Sequence, residues 1–80
     1  MDRQTEVALL AADTCLALRK MGWSVERENR VCLIVESRHG PTLSPMELEN
    51  DLMFLIVTEK IHAYTVNVAT PAFAAEVRVT

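Results

Sequence analysis

Six consecutive apolar residues, Leu52-Met53-Phe54-Leu55-Ile56-Val57, lie just downstream of a strong helix start at Ser44-Pro45-Met46-Glu47. This juxtaposition constrains the fold more than anything else in the chain. A helix on the outside of a small domain is apolar on one stripe and polar elsewhere. At 3.6 residues per turn, Leu48, Leu52, Leu55 and Ile56 gather on one face. Met46, Met53, Val57 and Tyr64 gather roughly opposite, flanked by Phe54 and Ile61. A chain of 80 residues buries only about 60% of its unfolded surface, so it has little material to cover both faces. The first face is expected on the core. The second meets either the first helix and a loop, or another protein. Large apolar patches on small chains usually mark association, and methionine suits an adaptable contact because its unbranched side chain repacks.

The remaining elements follow from period and punctuation. Val7, Leu10, Ala11, Thr14, Cys15, Leu18 and Met21 recur at steps of three and four, which predicts a first helix over about Thr5–Met21. Asp2 or Thr5 caps it, and Gly22 sits where a left-handed residue ends a helix. Leu9 and Leu16 fall on its far side. The period then becomes two. Trp23–Glu28 and Val31–Ser37 read as a hairpin around Glu28-Asn29-Arg30, with Asn29 tolerant of positive φ. The second of these strands is apolar on both faces and is expected to be central. Ser44, Pro45 and Glu47 form a capping box with proline at the first helical position, and Leu43 can staple to Leu48. This second helix is expected to end between Thr58 and Ala63. A buried strand over Leu52–Thr58 is the competing reading. Tyr64–Ala69 and Phe73–Thr80 complete a second hairpin, turning at Thr70-Pro71. The expected fold is one α+β domain over 1–80. Two helices cover one face of a four-stranded antiparallel sheet in the order αββαββ, a cyclic shift of the ferredoxin-like βαββαβ order.

Several function classes are disfavoured. A net charge of −3 argues against generic binding to a nucleic-acid backbone, which requires a basic excess. Arg19, Lys20, Arg27, Arg30 and Arg38 are interleaved with acids, and four aromatic residues make a poor base-stacking platform. No apolar run reaches the roughly 20 residues of a membrane span, and the start of the chain lacks a secretory pattern. A cytoplasmic location is expected. Cys15 and Cys32 read as small core residues, and with His39 and His62 they lack metal-site spacing. No phosphate loop or nucleophile elbow is present. Glu36, Ser37, Arg38 and His39 offer reactive groups, but adjacency along a strand does not bring them within bonding reach. No catalytic residue, metal or cofactor is assigned.

The expected function is therefore that of a non-enzymatic protein-interaction module, first of all a homodimer. Its interface would be Met46, Met53, Phe54, Val57, Ile61 and Tyr64, with Glu47, Glu49 and Asp51 as an acidic docking edge. One form of this reading is an inhibitor or regulator of a larger complex, such as the small, acidic, motif-poor proteins by which phages and mobile elements block CRISPR machinery. The alternatives are a small-ligand-binding regulatory domain and, third, a small enzyme subunit.

Overall fold

The computed structural model describes residues 2–38, 40–68 and 73–80. His39 and the Thr70-Pro71 turn lie outside the described residues. Helix α1 runs Arg3–Lys20, two residues earlier than its apolar period suggests, because Asp2 is the N-cap and its carboxylate accepts from Thr5 N–H at 2.7 Å. The helix closes on Gly22 at φ 97°. Gly22 N–H donates to Arg19 O and Trp23 N–H to Leu18 O, both at 3.0 Å, the paired bonds of a Schellman ending. A Cβ on Gly22 would meet Arg38 Cδ at 3.2 Å, so space as well as φ favours glycine here.

Strands β1 (Ser24–Arg27) and β2 (Cys32–Glu36) form the first hairpin. Asn29 holds its turn by its side chain and not by a positive φ. Its Oδ1 accepts from Val31 N–H and Cys32 N–H, each at 3.0 Å. Helix α2 (Pro45–Val57) follows, then β3 (Tyr64–Val68) and β4 (Ala74–Val79). The sheet is antiparallel throughout, in the order β1-β2-β4-β3. The two hairpins thus join through β2 and β4, and this αββαββ order is consistent with a permuted ferredoxin-like arrangement. Val25, Leu33, Val35, Ala75, Val77 and Val79 project to one side. There they meet Ala11, Cys15 and Leu18 from α1 and Leu48, Leu52 and Leu55 from α2. Both helices therefore lie on the same sheet face, and their outward surfaces look the same way.

Leu52–Val57 is helical, which removes the strand alternative. Ser44 Oγ accepts from Glu47 N–H, and Leu43 is buried with Leu48 as the staple requires. The helix ends at the early edge of the expected range, with Thr58 as C-cap. Glu59 N–H donates to Ile56 O at 3.0 Å and Lys60 N–H to Leu55 O at 2.8 Å. This is a second Schellman ending, but its left-handed position is filled by Glu59 at φ 60°. A side chain there costs about 1–2 kcal/mol. Glu59→Gly should therefore stabilise the domain by about 1 kcal/mol, read as a higher urea midpoint with an unchanged slope. A lower midpoint would mean that the Glu59 side chain contributes more than its backbone costs.

Candidate functional site

The outward helix face is built by the same period that builds the core. Met46, Asn50, Met53 and Val57 follow one another at steps of four, three and four, and Leu9, Ala12 and Leu16 at three and four. That spacing makes a straight seam along a helix. Met46 and Val57 are 74% and 76% exposed, and Met53, Phe54, Leu9 and Leu16 about half. Together these six present apolar surface on the order of several hundred Å², the size at which exposed patches mark association. Helix α1 does not cover the face. A hollow separates Leu16 and Ala17 from Thr58, Glu59 and Lys60.

Two residues expected on this face are placed elsewhere. Ile61 is 2% exposed and belongs to the core, because the Schellman ending turns the chain back under α2. Tyr64 is half-buried against the core, and its hydroxyl lies 3.4 Å from Glu49. Burial, then the Glu49 carboxylate, push its phenol up from the ordinary value.

The acidic edge is also only partly free. Arg38 bonds both Glu47 and Asp51, the latter at 3.1 Å, and donates to Met21 O at 2.7 Å. Asp51 accepts from Trp23 Nε1 at 2.7 Å as well. The Arg38 guanidinium stacks over the Trp23 ring, 4.5 Å from its centroid. Glu47, more than Asp51, raises the Arg38 pKa further above its ordinary value, against a smaller opposing effect of burial. Glu47 and Asp51 thus tie the main loop and the α1 ending to α2, and Glu49 is the exposed acid of the three. Sequence spacing does not reveal this knot, since its members lie on separate segments and Trp23 and Asp51 alone are 28 residues apart. The one available signal is a lone tryptophan beside a helix-ending glycine, a residue that needs an N–H acceptor when buried.

Cys15 lies in the core as expected. Cys32 is buried on the opposite sheet face, beneath surface side chains. Its thiol donates to Glu28 at 3.2 Å, and ligand atoms of Glu28, Cys32 and Glu76 lie within 4.8 Å of one another. The trio supplies three donors where a structural zinc site uses four. One of its two carboxylates, Glu76, already pairs with Arg78 at 3.2 Å. Burial first, then the Glu28 bond and the Glu76 charge, push Cys32 up to about 11. The folded chain therefore keeps a proton that the unfolded chain releases near pH 9. Stability should fall as pH rises from about 9 to about 11 and level off above. Urea unfolding across that range checks this. Comparison with Cys32→Ala separates Cys32 from Tyr64, whose raised pKa acts in the same direction. Equal slopes for both chains would overturn the assignment.

Ser37 Oγ donates to Thr42 O at 2.9 Å, a bond within the loop. His62 is exposed, its backbone N–H bonded to Thr80 O. Among the described residues, no helix is long and apolar enough to cross a membrane. No family model, curated protein or solved structure matches the chain.

Proposed function

We propose that this chain is a non-enzymatic protein-interaction module that works through the outward face of its helices, with a second copy of itself as partner. The observation that carries the reading is the exposed seam Met46-Asn50-Met53-Val57, with Phe54 beside it, on a helix whose other side already fills the core. A two-fold, antiparallel pairing of α2 uses the whole seam. It sets Met46 of one copy against Val57 of the other, and Asn50 against Met53. Such a pairing also opposes the helix dipoles and brings the acidic α2 start of one copy toward Lys60 of the other. The Leu9 and Leu16 stripe widens the contact on the same side. Closed two-fold dimers are the commonest oligomers, and their interfaces must be self-complementary. A hetero-partner, as for an inhibitor of a larger complex, would use the same surface after the dimer opens.

Sedimentation equilibrium tests this. The expected mass is twice the 9.0 kDa of one chain. A strictly single-chain mass at all accessible concentrations would overturn the self-pairing.

A further inference from the structure

We infer that a second site, independent of the helix face, binds a small organic anion with an apolar body. The site is a cavity of about 520 Å³ where the first turn of α1, the turn after β1 and the end of β4 converge. Val7, Val31 and Val79 form its apolar lining, and Arg3, Arg30 and Arg78 stand around it. Gln4 and Thr80 add further polar groups, and no Asp or Glu side chain lines it among the described residues. In a chain with a net charge of −3, three of the eight basic side chains meet at one concavity.

Internal pairing leaves cationic capacity there. Arg3 makes no ion pair among the described residues. Arg78 engages Glu76 through Nε at 3.2 Å, which leaves its two terminal nitrogens available. Arg30 acts on Asp2 only as a charge, a lesser influence on that carboxyl than its bond to Thr5. Other arginines of the chain are used differently. Arg19 donates to Val25 O, and Arg38 is held by Glu47 and Asp51.

The chemistry of the lining selects the ligand class. Guanidinium forks match the oxygen geometry of carboxylates and phosphates. The valines would desolvate an alkyl chain or a ring. Small-molecule sites combine a mostly apolar concavity of this size with a few convergent polar groups. A bare inorganic anion would leave the valine surface unused, and a neutral hydrocarbon would leave Arg3 and the terminal nitrogens of Arg78 unengaged. No aromatic residue lines the cavity among the described residues, so base stacking has no platform.

The test uses octanoate and octyl phosphate, with octanol and octylammonium as controls, all below the concentration of micelle formation. Titration is followed by amide chemical shifts and by calorimetry. The expected result is saturable binding of both anions with shifts clustered at Val7, Val31 and Val79. Octanol should bind at least tenfold more weakly, and octylammonium not at all. Arg3→Ala should weaken octanoate by about tenfold, the scale of one charge-assisted hydrogen bond, with the thermal midpoint unchanged. Equal binding of octylammonium, shifts centred on Met53 and Val57, no saturable binding of either anion, or no effect of Arg3→Ala would each overturn the site. Because the readout maps to the far end of α1, a monomeric wild-type chain would leave this test unaffected.

Discussion

A chain carrying Met53→Glu and Val57→Glu is expected to sediment at the mass of a single copy while keeping its helix content. Both side chains point away from the core, so their replacement removes little that holds the monomer together. The added carboxylates cost α2 a few tenths of a kcal/mol through the like charge four residues back at each position. The carboxylate introduced at position 57 costs a further ~0.3–1 kcal/mol, at most, at the negative end of the helix dipole. Leu48, Leu52 and Leu55 continue to anchor the helix. In an antiparallel pair the effect is far larger. Four carboxylates would be buried without partners, set against Asn50 and Met46 of the other copy, and each unpaired buried charge costs several kcal/mol. The dissociation constant should rise by a factor of more than about a thousand, on the order of 4 kcal/mol. A glutamate–lysine pair would be a poorer probe, because opposite charges could bridge between copies. A double variant that stays dimeric would move the interface elsewhere. One that unfolds would place these residues in the monomer's own support.

Most of the architecture can be read from the sequence because local rules and tertiary packing agree. Gly22 ends α1 as its position predicts, and Ser44 with Pro45 starts α2. The double-sided apolar pattern of β2 correctly marks an inner strand, for β2 lies between β1 and β4. Errors arise where a residue uses its less usual means. Asn29 suits a turn made through positive φ, but it makes this one through two side-chain hydrogen bonds. The end of α2 carries Glu59 where glycine would have announced it, so its place can only be bracketed from sequence.

The proposed contact surface is legible only in part, for a physical reason. Helical period tells which side chains share a face, and it separates Met46, Met53 and Val57 from the buried leucines. It cannot follow a chain past the helix end, and so it puts Ile61 on the wrong side. Charge composition fares worse. Glu47 and Asp51 look like dipole complements in sequence, yet they close on Arg38 from the loop. Arg3, Arg30 and Arg78 are scattered along the chain, and only the folded topology gathers them around one cavity.

Trp23→Ala should be the most damaging single substitution in the chain. Trp23 is 3% exposed and joins three supports. Its ring fills the core beside Leu18, its Nε1 donates to Asp51, and its face carries the Arg38 guanidinium. Loss of a buried tryptophan ring costs about 3–5 kcal/mol through transfer and cavity terms alone. A domain of 80 residues is stable by roughly 4–12 kcal/mol in total. The thermal midpoint should drop by about 15–30 °C, at roughly 4–8 °C per kcal/mol for a chain of this size. Trp23→Phe is the informative companion. It keeps most of the apolar filling and a ring for Arg38, but loses the N–H donor to Asp51. Arg38 still satisfies that carboxylate, so the cost should stay near ~1–2 kcal/mol. Far-ultraviolet circular dichroism on heating measures both. If Trp23→Ala melted within a few degrees of the parent chain, α2 would be held by its leucines alone. The Trp23–Asp51–Arg38 knot would then be a surface ornament of the fold, not the clamp that fixes where α2 presents its outward face.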